Sequence, residues 1–378
     1  MEFAGERLKL ARLAMGATQS ALAELVGSSN SYISEIERGL KSEPGELFVE
    51  AVADELGFSP GFFYKSDSPV FESEAVNFRR RSSVPEWRKA QVAAIASLFA
   101  QVVVHLDELF GFPPLDVPEF SAGSDDDIEE AAARCRQHWG LDLDAPIDSM
   151  VRVVENAGVV VTTMSDADKV DAFSAVRDSV AVVVLNDSFP ATRVRFSLGH
   201  ELAHLSLHRG IVTGDRETEF QADRFSSAFL MPSKSFSREF RQLTKMGWPH
   251  LFELKRRWKV SVAAIVRRAF DLDLIGPAEY RRRYKYMSAR GWRKGEPHEP
   301  PSEAAELLPI AIQELERSFG ETPEDLAKRL GFAPRTLERV ARLHVKVTPE
   351  LPRNVANLRA FRAKRRHSGI GGTGGSSA

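Results

Sequence analysis

The chain has only one cysteine, Cys135, among its 378 residues. A single thiol excludes an intramolecular disulfide and favours a reducing compartment, so we interpret Cys135 as a thiol without chemistry. No long apolar run and no signal peptide stand out, which argues against secretion and against a membrane span. The net charge of -2 is unremarkable, and a hydrophobic content of 43% is enough for packed cores in two or three domains. Composition therefore predicts a cytoplasmic protein.

What the chain does contain is a pentapeptide with the spacing of a metal site, His200-Glu201-Leu202-Ala203-His204. Two histidines four residues apart on a helix point from the same face, so both imidazoles can bind one Zn²⁺. Glu201 is then placed to act as general base on a metal-bound water. Residues 188–210 have the apolar spacing of one helix, with Ser188 as candidate N-cap and Pro190 near its first position.

A third metal ligand is expected on the next helix, at residues 217–231. A catalytic zinc bound by two histidines needs a third protein ligand and an open water position, and Glu219 is the best candidate. Asp223 follows one turn later, where it can accept the second ring N–H of a liganding histidine. The alternative interpretation makes Glu217, Glu219 and Asp223 a solvated helix face.

His208 lies four residues after His204 and could be mistaken for a ligand. Three collinear histidines spread over about 12 Å of helix cannot all reach one ion at about 2.1 Å. We therefore interpret His208 as a residue that contacts a metal ligand without binding the metal itself, or as a structural residue. Two histidines and a carboxylate suit several divalent ions, so the sequence predicts one Zn²⁺ per chain and leaves Mn²⁺ and Fe²⁺ open.

Three β-rich runs precede this helix, at residues 158–164, 170–176 and 180–185. An edge strand of such a sheet can pair with an extended peptide and hold it over the metal, although the sequence does not say which strand is the edge. The chain offers no clear residue for stabilising an oxyanion. Its tyrosines are few, and three of them, Tyr280, Tyr284 and Tyr286, fall in a basic helical stretch.

The N-terminal residues show the pattern of a helix-turn-helix, with helices expected at 5–13, 19–26, 30–37 and 44–56. Small polar side chains at the start of a recognition helix can reach base edges or phosphates of double-stranded DNA. The residues expected to face DNA are Gln19, Ser29, Asn30, Ser31 and Tyr32.

The charge of this region qualifies the DNA-binding prediction. Residues 1–66 hold more Asp and Glu than Lys and Arg, whereas DNA affinity usually rests on phosphate neutralisation by basic side chains. We expect the region to bind DNA weakly or only as a homodimer. The alternative is that the helix-turn-helix is a protein-binding module.

At this point the chain resembles an XRE/Cro-type helix-turn-helix regulator fused to an ImmA/IrrE-type metallopeptidase. The N-terminal residues that carry the resemblance are Thr18-Gln19-Ser20-Ala21-Leu22-Ala23 and Ile33-Ser34-Glu35-Ile36-Glu37-Arg38-Gly39. Those of the second part are Val170-Asp171-Ala172-Phe173-Ser174, Arg195-Phe196-Ser197-Leu198-Gly199-His200-Glu201-Leu202-Ala203-His204-Leu205 and Phe229-Leu230-Met231-Pro232.

The resemblance implies a zincin-like fold of the gluzincin type, with zinc on His200, His204 and Glu219 and with Glu201 as base. It also implies a zinc endopeptidase that cleaves helix-turn-helix repressors in stress responses or mobile-element control. Relatives often carry a second acidic residue where this chain has Gln221, which concentrates the third-ligand assignment on Glu219.

We therefore predict a mainly α protein with a small α+β domain. Its expected parts are a five-helix helix-turn-helix bundle at 1–66, a linker and long helix at 67–124, a metallopeptidase domain with a short three-stranded sheet at 125–290, a helical region at 291–367 and a disordered Gly/Ser tail at 368–378. The expected partners are a double-stranded DNA operator and a repressor as substrate, or this chain itself. Two alternatives remain: a regulator whose metal domain senses zinc or a ligand without cleaving anything, and a toxin-antitoxin or phage-related component.

Overall fold

The computed structural model describes residues 2–65, 76–78, 85–164, 172–177, 180–211, 213–242, 247–293 and 295–342. Within these ranges it contains sixteen α-helices and a single sheet of four strands. The predicted Gly/Ser tail at 368–378 lies outside the described residues, as do the first two residues of the predicted strand at 170–176.

The N-terminal bundle consists of α1 (Gly5–Met15), α2 (Gln19–Leu25), α3 (Asn30–Glu37), α4 (Glu46–Leu56) and a 3-10 helix (Pro60–Tyr64). Side chains cap the two helices of the predicted helix-turn-helix: Thr18 accepts from the backbone N–H of Ala21, and Ser29 from that of Tyr32, both at 3.1 Å. The bundle is helical as predicted, and its fifth helix is of the 3-10 type.

A long helix, α5 (Glu86–Phe110), follows the bundle. By length and composition α5 could cross a membrane, but 72% of its most apolar window is buried inside the fold. The expectation that the chain has no long apolar run was therefore wrong for this helix. Its apolar side chains are accounted for by packing against α1 and other elements of the protein, as in the core helix of a globular domain.

The sheet has the strand order β1-β3-β4-β2, where β1 is Val76–Phe78, β2 is Val159–Met164, β3 is Ala172–Arg177 and β4 is Val180–Asn186. Strands β2 and β4 are parallel, and β3 runs antiparallel to β4. All three predicted strands are present. A fourth, β1, comes from the predicted linker and pairs antiparallel with β3.

The two faces of the sheet contribute to two hydrophobic cores. Successive side chains of a strand point to opposite faces, so Val182 and Val184 join one core while Val183 and Leu185 join the other. The first core contains α5 and the N-terminal bundle. The second contains the helices that carry the predicted metal ligands.

The remaining helices fall into two groups. Around the second core lie α6 (Asp125–His138), α7 (Met150–Asn156), α8 (Ala191–Leu207), α9 (Arg216–Leu230), α10 (Ser233–Arg241), α11 (Trp248–Trp258), α12 (Val262–Asp271) and α13 (Pro277–Ala289). The last three helices are α14 (Leu307–Phe319), α15 (Pro323–Leu330) and α16 (Pro334–Ala341).

Helices α14 to α16 pack against the N-terminal bundle and α5. The ring centroids of Phe58 and Phe332 are 5.6 Å apart, and the carbonyl oxygen of Gly57 accepts from the Ala333 N–H at 2.9 Å and from the Thr336 hydroxyl at 2.6 Å. The C-terminal helices therefore share one core with the helix-turn-helix bundle, although more than 200 residues separate them in sequence.

Candidate metal centre

Helix α8 presents the pentapeptide to the interior of the second core. The helix begins at Ala191 with Pro190 as N-cap, so the expectation that Ser188 caps it was wrong. The Ser188 hydroxyl instead donates to Asn186 Oδ1 at 2.6 Å, within the turn that precedes the helix. His200 and Glu201 are both 0% exposed.

Helix α9 lies so close to α8 at Gly199 that a larger side chain there would clash. A Cβ at this position would lie 2.5 Å from Ser226 Oγ, inside the contact distance of the two atoms. The Ser226 hydroxyl donates to the Phe196 carbonyl at 2.8 Å, which adds a side-chain bridge between the helices. Glycine at 199 therefore allows the close approach that brings the first turn of α9 to the histidines.

The side chains of three residues converge between the two helices. His200 Nε2 and His204 Nε2 are 3.1 Å apart, and they lie 3.6 and 3.5 Å from the two carboxylate oxygens of Glu219. Ligands bound at about 2.0–2.2 Å to one tetrahedral ion lie roughly 3.3–3.6 Å from each other. The spacing and the donor set of His200, His204 and Glu219 thus fit a single divalent cation.

Asp223 fixes the orientation of His200. Its Oδ1 lies 2.9 Å from His200 Nδ1. An ionised carboxylate only accepts, so Nδ1 carries the proton and the lone pair of Nε2 points toward Glu219 and His204. The structure places Asp223 where the sequence predicted it, one turn beyond Glu219.

A second chain of hydrogen bonds fixes His204. The Gln221 amide donates from Nε2 to Glu217 Oε1 at 3.1 Å and to the Ala122 carbonyl at 3.4 Å, which leaves its Oε1 as an acceptor. His208 Nε2 lies 2.8 Å from that oxygen and must donate to it. His208 Nδ1 is then an acceptor for His204 Nδ1–H at 2.9 Å, and the Nε2 lone pair of His204 is free for a metal.

Burial favours the neutral forms of His204 and His208. Removal from water disfavours the imidazolium and lowers the pKa of His204, and the same cause lowers the pKa of His208. A neutral imidazole is the form that binds a cation, so burial prepares His204 for its predicted role.

Ser174 on β3 holds the predicted base. Its hydroxyl donates to Glu201 Oε2 at 2.6 Å, and both residues are 0% exposed. This contact orients the carboxylate beside the ligand cluster. Ser174 lies within a sequence motif, but its contact with Glu201 is not predicted from the sequence.

A cavity of about 440 Å³ opens beside Asp223. Its lining is rich in aromatic side chains, among them Phe196, Phe220, Tyr280, Tyr284 and Trp292. The Tyr284 hydroxyl donates to the Ala263 carbonyl at 3.2 Å, and burial raises its pKa above the usual range, so the phenol stays neutral. Tyr286 stacks on Trp248 at 4.5 Å, away from this lining.

The predicted DNA-facing residues differ in their surroundings. Asn30 and Ser31 are exposed on the first turn of α3 and are available to a ligand. Gln19 is half-buried and donates to Glu37 Oε2 at 2.7 Å within the bundle. Tyr32 is half-buried too, with its ring 5.1 Å from that of Phe48.

Ser29 is exposed, and its hydroxyl is engaged as the cap of α3. DNA contact by all five residues remains a prediction. The cations of this bundle are partly withdrawn from its surface, since Arg7 and Arg12 are buried and Arg12 pairs with Glu37.

Comparisons with known proteins match two regions of the chain. Residues 154–270 match a peptidase family described as the IrrE N-terminal-like domain, and residues 8–63 match a helix-turn-helix family. A solved structure described as a Mycobacterium tuberculosis transcriptional regulator is 17% identical with a TM-score of 0.28, covering 45% of this chain and 51% of that one. The match thus spans about half of that regulator's length. No curated protein matches the chain. The chain therefore joins a helix-turn-helix region to a peptidase-family region of the IrrE N-terminal-like type, the fusion predicted from its motifs.

Proposed function

We propose that this chain is a cytoplasmic transcription regulator whose peptidase-family region is a zinc-dependent endopeptidase. Its substrate is a partner helix-turn-helix repressor or the chain itself, and its cleavage controls gene expression in a stress response or in mobile-element control. The observation that carries the proposal is the convergence of His200, His204 and Glu219, whose ligand atoms all lie within 4.8 Å of one another, beside the buried carboxylate of Glu201.

Each residue of the site has a separate role in the proposed peptide hydrolysis. When bound, zinc supplies a Lewis acid that acidifies water and polarises a carbonyl. Glu201 accepts the proton of the attacking water at its carboxylate and returns it to the leaving amine. Ser174 keeps that carboxylate oriented, while Asp223 and His208 keep the imidazoles of His200 and His204 directed at the ion.

The DNA-binding role rests on the N-terminal bundle. Its exposed Asn30 and Ser31 stand at the start of α3, where a recognition helix meets the major groove. Two of its six basic side chains are buried, so phosphate neutralisation by one copy is small. We therefore expect operator binding by a homodimer, with each copy reading one half-site.

A regulator that senses metal without cleaving is the second candidate. One observation favours it: the N-terminal bundle and one face of the sheet share a hydrophobic core, and the opposite face of that sheet supports the metal helix α8. A change of metal occupancy could then reach the bundle through packed side chains.

The Glu201→Gln variant separates the two candidates. Zinc-loaded wild-type protein is incubated alone and with purified helix-turn-helix repressors from the same genome, and products are identified by mass spectrometry. Glu130→Gln is the matched control, because Glu130 is an exposed helical glutamate whose side chain is 70% exposed.

The enzyme proposal expects cleavage by wild type and by the control, and none by Glu201→Gln at equal zinc content. Cleavage that persists in Glu201→Gln contradicts the assigned base. Zinc-dependent DNA binding that is identical in wild type and Glu201→Gln, without any cleavage, supports the sensor instead.

A further inference from the structure

Strand β1 occupies one edge of the sheet next to the candidate metal centre. It pairs antiparallel with β3, with Val76 opposite Ala175, Asn77 opposite Ser174 and residue 78 opposite 173. The strand order is β1-β3-β4-β2, so β3 would itself be an edge strand without this contribution. Three residues of the segment that follows the helix-turn-helix bundle thus pair with residues 173–175 on the outer side of β3.

The covered edge of β3 runs beside the predicted base. Ser174, the residue opposite Asn77, donates its hydroxyl to Glu201 at 2.6 Å. Helix α8 packs against both β3 and β4. A chain laid along the outer edge of β3 therefore passes Ser174, the residue whose side chain hydrogen-bonds the candidate base Glu201.

An open strand edge is a template for an extended peptide, because main-chain hydrogen bonds supply affinity whatever the peptide's sequence. We propose that the outer edge of β3 is the peptide-docking edge of this protein and that the chain's own strand β1 is its resident occupant. A peptide supplied by another molecule must displace β1 to reach the site. The inference rests on the proposed peptidase function, whose access it regulates.

The tether of β1 explains how so short a strand can hold its place. On one side the chain is anchored at Lys65, whose ammonium donates to the carbonyls of Arg329 and Leu330 at 3.1 and 3.0 Å. On the other side it continues into α5 from Glu86. Attachment at both ends gives β1 a high effective concentration at β3, while its three-residue length leaves few hydrogen bonds for a longer peptide to replace.

Proline substitutions in β1 test this occupancy, because proline lacks the N–H that a strand donates. Alternate residues of a strand direct their N–H groups to opposite sides, so two variants are needed to be sure of removing those that face β3. They are Val76→Pro combined with Phe78→Pro, and Asn77→Pro alone. Ser83→Pro is the matched control, a proline in the same linker outside β1. All are made in the Glu201→Gln background, so that nothing depends on peptidase activity.

The probe is a fluorescent synthetic peptide with the sequence of residues 72–82, titrated against each full-length zinc-loaded protein. One of the two β1 variants removes the backbone N–H groups that β1 donates to β3. That variant is expected to bind the peptide about tenfold or more tightly than the parent and the Ser83→Pro control. Hydrogen exchange supplies a second measurement: amides of residues 172–177 should lose protection in that variant and regain it when the peptide is added.

Two results overturn the proposal. One is equal peptide affinity in the parent and both β1 variants, and the other is unchanged exchange of residues 172–177 in both variants. Exchange of residues 180–186 and zinc content report whether each variant has kept its fold. Because binding and exchange are read in a protein without its base, a failure here is separate from a failure of the proposed peptidase activity.

Discussion

His204 and His208 face each other through their Nδ1 atoms at 2.9 Å, so one of the two nitrogens must carry the proton and the other must accept it. Gln221 decides which, because its carbonyl oxygen accepts from the far nitrogen of His208 at 2.8 Å. The proton between the histidines therefore belongs to His204. The amide of Gln221 thus sets the tautomer of a predicted ligand through an intervening ring.

Gln221→Ala should weaken zinc binding by roughly 10–100-fold, the usual effect of losing a partner behind a metal ligand. Without the amide, His208 has no fixed tautomer and can present a second Nδ1–H to His204. Dissociation constants from competition with a chromophoric chelator measure the effect. Gln137→Ala, at an exposed position of α6, serves as control. A zinc affinity of Gln221→Ala equal to that of the control would show that Gln221 does not support zinc binding.

Gly199→Ala should destabilise the protein by about 1–3 kcal/mol through overpacking between α8 and α9. The added Cβ would meet Ser226 Oγ at 2.5 Å and Ser226 Cβ at 3.2 Å, and a shift of α9 would move Glu219 away from the histidines. Urea unfolding and zinc titration follow the two effects. Ser226→Gly removes both contacted atoms but also the hydrogen bond to Phe196, so Gly199→Ala is also measured in the Ser226→Gly background, where it should cost less than in wild type. An equal cost of Gly199→Ala in the two backgrounds would mean that the clash is not the cause.

Ser174→Ala should leave zinc affinity unchanged and lower the turnover of peptide cleavage by about tenfold or more, since a hydrogen bond to a charged group contributes roughly 1.5–3 kcal/mol. The prediction applies to the proposed peptidase. Ser174→Thr keeps a hydroxyl at the position and should retain most of the turnover. Matched kcat values for the Ala and Thr variants would show that the hydroxyl does not position Glu201.

Glu155 should make stability fall as pH rises. This residue of α7 is 5% exposed, and burial raises its pKa from 4.5 to about 8 in the folded protein. Between those two pH values the folded chain keeps a proton that the unfolded chain has released, so its contribution is fully present below about pH 4.5 and is lost toward about pH 8.

Glu155→Gln removes this titration. Urea unfolding at several pH values between 5 and 8 should show the free energy of unfolding of wild type falling relative to the variant, by up to about 1.4 kcal/mol per pH unit. A constant difference between the two proteins across that range would place the folded-state pKa of Glu155 near its unfolded value.

The helices, and the convergence of the three predicted ligands, follow from local patterns. The i, i+4 spacing of His200 and His204 places both rings on one helical face, and the next amphipathic helix supplies Glu219 at the position that its pattern predicted. The long helix predicted within residues 67–124 is likewise present, as α5. Each of these features depends on the pattern within a single helix, which is the range over which sequence periodicity carries information.

What the sequence does not predict depends on contacts between distant residues. Ser174 and Glu201 are 27 residues apart and meet across a strand and a helix, and no periodicity links them. Strand β1 has three residues, too short for an alternating pattern, and it lies in a basic linker. The packing of Phe332 on Phe58 likewise has no local signal.

The burial of charged side chains was also not predictable from the sequence. The segment from Lys255 to Arg268 is rich in Lys and Arg, yet both of these side chains are 0% exposed. Lys255 pairs with Glu296 and Glu299, and Arg268 pairs with Glu129. Their partners come from remote segments, so only the folded chain shows that their charges are compensated.

Metal content is the most direct test of the central claim that His200, His204 and Glu219 form one cation site. Elemental analysis of the purified protein, of His204→Ala and of Glu219→Ala compares the three proteins under identical reconstitution. We expect about one zinc per chain in wild type and its loss in both variants. Wild-type protein that takes up no metal after reconstitution, or variants that keep it, would show that these three residues do not form a cation site.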